Sequence, residues 1–133
     1  MKRKKRGVPK DPEHGSQHHI NPRSRRGPDD QWNIYQWIII KHQAWHQLFD
    51  NRLPSEAIER IKGWILSNGE LNKEAMGESK YQAWQEVFSS WNRKTETRHI
   101  WTPQQAIRYI EEKFLPTEIQ FLKFSETQKE KSL

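Results

Sequence analysis

The sequence predicts an α+β fold in which a β-hairpin runs directly into a helix, that unit packs against a small helical bundle, and a flexible basic tail precedes both. Three observations carry this. The stretch Asn21-Pro22-Arg23-Ser24-Arg25-Arg26-Gly27-Pro28-Asp29-Asp30 is dense in turn formers and separates two apolar arms. The apolar period changes from strand-like to helical near Ile39. Beyond that point, apolar residues recur at helical spacing in segments opened or closed by Pro or Gly.

Taken in order, residues 1–16 are too polar and too rich in Pro and Gly to bury much, and form a flexible basic tail that orders only on a partner. Residues 17–50 hold the hairpin and its helix. His18, His19 and Ile20 end the first arm. The second arm, from Asn33 through Ile34, Tyr35, Trp37 and Ile38, is β-branched and aromatic and reads as a strand. Ile40, Ala44, Trp45, Leu48 and Phe49 then recur at helical spacing, which predicts a helix over 39–49.

Residues 51–124 form a helical support region. Pro54 in a first helical position, Glu56 in the first turn, and Ala57, Ile58, Ile61, Trp64 and Ile65 on one face predict a helix over 54–67, ended by Asn68-Gly69. Leu71 to Gly77 offers at most a short turn of helix. Tyr81, Trp84, Val87, Phe88 and Trp91 make an apolar face for a helix over 79–91, and Asn92 to Ile100 reads as a loop. Thr102 as cap, Pro103 next and Gln105 reaching back open a helix that runs to Phe114, with Ala106, Ile107 and Ile110 inward. Pro116 stops it, Thr117 to Phe124 adds a final turn or two, and residues 125–133 form a frayed tail.

The chain also echoes itself. Lys41-His42-Gln43-Ala44-Trp45-His46-Gln47-Leu48-Phe49 and Lys80-Tyr81-Gln82-Ala83-Trp84-Gln85-Glu86-Val87-Phe88 share Lys, Gln, Ala, Trp and Phe in register, and each is followed by Pro-x-x-Ala-Ile-x-x-Ile, at Pro54 and Pro103. The shared residues are those a helix would bury, whereas His42 and His46 become Tyr81 and Gln85. A degenerate repeat of the 41–65 helix pair follows, one that keeps the packing face and loses the histidines.

Composition narrows the function. Only 32% of the 133 residues are hydrophobic, but seven Trp and five Phe concentrate burial in large side chains. The absence of cysteine excludes a disulfide framework and any Cys-based zinc site and fits a reducing cytoplasm. No signal-peptide pattern and no membrane-length apolar run are present, so the expectation is a soluble cytoplasmic protein with no membrane partner. The net charge of +6 is unevenly placed: residues 1–28 carry nine Lys or Arg (Lys2, Arg3, Lys4, Lys5, Arg6, Lys10, Arg23, Arg25, Arg26) against Asp11 and Glu13. The rest of the chain is close to neutral. Cations on a tail and on a hairpin loop suit binding to a phosphate backbone; the tail alone would also serve as a solubilising or localisation segment.

The histidines sit at chemically telling positions. His42 and His46 are four apart on the expected helix, which stacks their imidazoles on one face where they can share one metal ion. A third ligand from the pair His18-His19 would complete a site with an open position for water or a phosphate oxygen. Imidazole donors suit zinc, nickel, copper or cobalt, whereas magnesium prefers oxygen, so metal identity stays open among Mg, Mn, Zn and Ni. His14 and His99 have no partner at ligand spacing and read as surface residues.

The pattern His18-His19, Asn33 and His42-x-x-x-His46 resembles the HNH, or ββα-metal, nucleases, with a spacing similar to that of the colicin-type enzymes. The resemblance covers residues 17–49, and Ile20, Pro22, Ser24 and Gly27 also fit the family's hairpin. It departs at Arg26, where a second glycine is common, and in lacking zinc-knuckle cysteines. The likeness implies that His18, His42 and His46 ligate one divalent metal, that His19 is the general base and that Asn33 holds base and loop in register. The implied function is metal-dependent hydrolysis of nucleic-acid phosphodiester bonds with little sequence preference. Lys2, Arg3, Lys4, Lys5, Arg6, Arg23, Arg25 and Arg26 would hold phosphates of DNA ahead of RNA, or of a larger nucleoprotein. The alternative is a non-catalytic nucleic-acid or ribonucleoprotein binder with a structural or vestigial metal site.

Overall fold

A computed structural model describes residues 15–131 as a mixed helix and strand architecture. The tail residues Lys2, Arg3, Lys4, Lys5 and Arg6, together with His14, lie outside the described residues. Strand β1 (Gly15–His19) pairs antiparallel with β2 (Ile34–Ile38), with His18 opposite Tyr35 and His19 opposite Ile34. Because side chains alternate along a strand, Ser16 and His18 share the inner face with Tyr35 and Trp37, while His19 takes the outer one. His18 and Trp37 are buried accordingly.

The intervening loop is organised by Asn33. Its Oδ1 accepts from the backbone and side-chain N–H groups of Asn21, and its Nδ2 donates to the carbonyls of Asn21 and Pro28. Both asparagines are fully buried, so these bonds satisfy groups that would otherwise be left dry and unpaired. Gly27 turns back so tightly, its N–H on the Pro22 carbonyl, that a Cβ there would collide with the Asn21 carbonyl.

Helix α1 (Ile39–Phe49) follows β2 without a break, and α2 (Pro54–Lys62), α3 (Lys73–Met76) and α4 (Glu78–Val87) come next. A second hairpin, β3 (Ser89–Asn92) with β4 (Thr97–Ile100), leads into α5 (Pro103–Lys113) and α6 (Leu115–Lys131). The two echoed segments pack on each other, α1 on α4 and α2 on α5. The face they share supplies the core: Ala44, Trp45, Leu48 and Phe49 meet Ala83, Trp84, Val87 and Phe88, all buried. No helix among the described residues is long and apolar enough to cross a membrane.

Several boundaries differ from expectation for identifiable reasons. The 54–67 helix stops at Lys62, where Gly63 follows and the chain tightens so that buried Trp64 packs on Phe49. Asn68-Gly69 instead forms the turn that closes a bridge between Ile65 and Leu71, with Gly69 at φ 87°. The 79–91 helix ends at Val87, and the stretch expected to be a loop forms β3 and β4; Trp91, expected inward, is 63% exposed. The cap at Thr102 forms as the sequence implies, with Gln105 returning its bond. Helix α6 is far longer than a turn or two and does not fray at Ser125. Pro116 is tolerated in its first turn, and buried Glu118 anchors it by accepting from both the N–H and hydroxyl of Ser55 at the start of α2.

Gly27→Ala should lower stability by about 1–3 kcal/mol through overpacking against the Asn21 carbonyl. Gly15→Ala, where added bulk meets nothing, serves as the control and should melt like wild type in a thermal denaturation experiment.

Candidate metal centre

Three of the six histidines converge. One ring nitrogen each from His18 of β1 and His42 and His46 of α1 lies within 4.8 Å of the others. His18 is 1% exposed, its ring set 5.4 Å from Trp37, 5.4 Å from Trp45 and 5.6 Å from Phe114 between centroids. Neither of its nitrogens has a hydrogen-bond partner. A buried imidazole without a hydrogen-bond partner is costly, by about 1–3 kcal/mol, and this one faces two further imidazoles.

The two helix histidines are oriented from behind. His46 Nδ1 lies 2.9 Å from the carbonyl of Asp50, which can only accept, so Nδ1 carries the proton and Nε2 presents a lone pair. That Nε2 stands 3.0 Å from His42 Nε2, close to the about 3.3 Å expected of two nitrogens sharing one tetrahedral zinc at ordinary bond lengths. His42 Nδ1 is held at 2.7 Å by the Ser16 hydroxyl, which can donate or accept and so supports either tautomer. Asp50 reaches its position at φ 50°, a left-handed conformation unfavourable to a residue with a Cβ, directly after α1 ends.

Electrostatics agree with neutral ligands. Burial, then the neighbouring His42, His46 and His19, push the His18 pKa down to about 2. Burial, then His46 and His19, hold His42 down to about 4. Immediately before it, Lys41 is disfavoured as an ammonium first by burial and then by Arg98 of β4, while Glu86 of α4 acts the other way.

His19 does not join the cluster. Its Nε2 lies 2.8 Å from Asp29 Oδ1 at the loop surface, and this contact lowers the Asp29 pKa, with Arg23 adding to the effect. Asn33 touches the loop rather than the His19 ring, and its carbonyl accepts from Ile20 N–H, next to His19. The loop arginines are also partly engaged. Arg25 bonds both carboxylate oxygens of Glu56, and Arg23 lies 3.5 Å from Asp29. Arg26, left-handed at φ 68°, is exposed and has no ion pair among the described residues. A shallow groove of about 760 Å³ beside Asp50 mixes Arg25 and Arg52 with Glu56 and Glu59, so its walls are not a uniformly cationic surface.

Sequence reasoning missed Ser16, Asp29 and Asp50. Ser16 was discernible, being two residues before His18 and so on the same strand face. Asp50 follows His46 by one helical turn, but its contribution is a carbonyl, which any residue carries. Asp29 meets His19 only through the loop's path. The chain matches no family model, no curated protein and no solved structure.

Because His18 and His42 bind protons less readily folded than unfolded, the unfolded chain takes up more protons below the ordinary histidine range, and stability must fall with falling pH. The thermal midpoint of metal-free protein should therefore drop as pH decreases from about 6.5 toward 4, through the His42 value, with His18 extending the loss further down. In His18→Leu that acid slope should be shallower than in wild type by differential scanning fluorimetry. A second expectation is that Zn²⁺ or Ni²⁺ binds one ion per chain by calorimetry, raises the thermal midpoint, and does neither in His18→Ala.

Proposed function

We propose that the chain is a metal-dependent endonuclease of the ββα-metal type, hydrolysing phosphodiester bonds of nucleic acid. The observation that carries this reading is the meeting of three imidazoles from β1 and α1, two of them braced from behind and the third buried without a partner. His18, His42 and His46 would hold one divalent cation, which when bound supplies Lewis acidity toward a phosphate oxygen without ligands that cancel its charge.

The chain's own groups would do the rest. With Asp29 keeping a proton on His19 Nε2, the Nδ1 of His19 is left as the acceptor for a proton from water. The water oxygen would bond to phosphorus as one ester P–O bond breaks, the departing oxygen taking a proton from solvent. Asn33 holds the loop that carries Asp29 and Arg26 against the end of β1. Arg26 would hold a flanking phosphate, as would Lys2, Arg3, Lys4, Lys5 and Arg6, with DNA favoured over RNA as substrate. Arg25 serves better as a strut to α2, given its Glu56 partner.

One observation favours a second reading, a non-catalytic nucleic-acid binder with a structural metal: His19 lies on the opposite strand face from the cluster. A single experiment separates the two. Plasmid DNA and RNA incubated with purified protein and Mg²⁺, Mn²⁺, Zn²⁺ or Ni²⁺ should yield fragments that chelator suppresses. His19→Ala should lower cleavage by about 10²–10⁴-fold with metal stoichiometry unchanged, whereas His46→Ala should weaken both. Undiminished nicking by His19→Ala would refute the assigned base, and the absence of cleavage with every metal would favour the structural reading.

A further inference from the structure

The β3–β4 hairpin is unlike the rest of the fold in what it exposes. From Ser90 to His99 every residue is exposed, so neither face of the ribbon packs on the core. Among the tryptophans, Trp37, Trp45, Trp64 and Trp84 are at most 8% exposed, yet Trp91 in β3 stands at 63%. The echoed helix pairs make the contrast sharper. Between α1 and α2 the chain crosses in residues 50–53, whereas the equivalent crossing between α4 and α5 takes residues 88–102 and is filled by the hairpin. Packing two helices did not require that length.

The ribbon is nonetheless well held. Asn92 Oδ1 accepts from the N–H groups of Lys94 and Thr95, Glu96 turns through φ 52°, and the Thr95 and Thr97 hydroxyls meet at 2.6 Å. At its root, Ser90 Oγ accepts from Trp101 Nε1, and Arg98 reaches both Ser89 and Glu86 of α4. Since α4 lies along α1, this root sits close to Lys41, the residue before His42. Three paired steps then carry the tip about 10 Å outward. Arg93 and Lys94 occupy that tip, with no ion pair to any described residue.

We propose that this hairpin is a nucleic-acid finger: Trp91 stacks on an unpaired base while Arg93 and Lys94 hold neighbouring phosphates. The ring's surroundings select the partner. On its own face of the ribbon Ser89 lies beside it and Arg98 directly across the ladder, and the apolar neighbour there, Ile100, is packed against the core, so the ring does not belong to the continuous exposed apolar patch that a protein partner or bilayer would need. An isolated aromatic bordered by cations fits a repeating base and phosphate. The finger rests on the nucleic-acid partner of the proposed function, but not on cleavage.

The test uses the full chain, chelator to prevent cleavage, and a labelled single-stranded oligonucleotide in fluorescence anisotropy. Trp91→Ala should weaken binding about 5- to 100-fold, Trp91→Tyr should recover most of it, and both should melt like wild type. The double variant Arg93→Ala/Lys94→Ala should reduce the slope of log affinity against log salt by about 1.4, as two lost phosphate contacts on a single strand would. A fully paired duplex without ends should show little dependence on Trp91. Unchanged affinity of Trp91→Ala, or an equal loss on duplex and single strand, overturns the stacking role. If binding depends on Trp91 while no metal supports cleavage, the finger stands and the nuclease fails; if cleavage proceeds and Trp91→Ala binds normally, the reverse holds.

Discussion

The burial of His18 is the constraint on which the structure turns. Its imidazole is enclosed by Trp37 of β2, Trp45 of α1 and Phe114 at the end of α5, so the hairpin-helix unit and a residue far along the chain meet around one polar ring. Rings of this kind usually find a partner for at least one nitrogen. The His42 and His46 rings lie 5.1 and 5.7 Å from it between centroids, and the apolar shell holds His18 against them.

The supports around His42 and His46 show how local geometry is recruited. Ser16 shares a strand face with His18, so the pairing of β1 with β2 delivers one histidine of the cluster and the brace of another together. Asp50 departs from helical geometry one residue after α1 ends, and a strain of about 1–3 kcal/mol is tolerated where its carbonyl meets His46 Nδ1. Preorganisation of this kind aims the His46 Nε2 lone pair at the cluster.

Much of this was legible in residue order, and the rest was hidden for physical reasons. The change of period at Ile39 located α1 to the residue, because an abrupt switch from period 2 to 3.6 leaves little ambiguity. The four-residue step from His42 to His46 put both rings on one face for the same reason. The second hairpin was hidden because Trp91 falls in phase with Tyr81, Trp84 and Phe88, and periodicity cannot distinguish an apolar residue that continues a helix from one that follows it exposed. The loop arginines misled differently: their charge is visible in sequence, but the carboxylates of Glu56 and Asp29 that engage Arg25 and Arg23 arrive only through folding. Length of α6 escaped notice since Glu118 finds Ser55 across 63 positions.

The paired helices α1 and α4 bury the same residue types on the same face while differing at the two positions where one carries imidazoles. Scaffold and chemistry thus occupy separate sides of one helix. Such a partition lets reactive side chains drift or vanish without loss of the architecture, and it makes the half-buried positions Tyr81 and Gln85 the place to install a second pair of imidazoles by design.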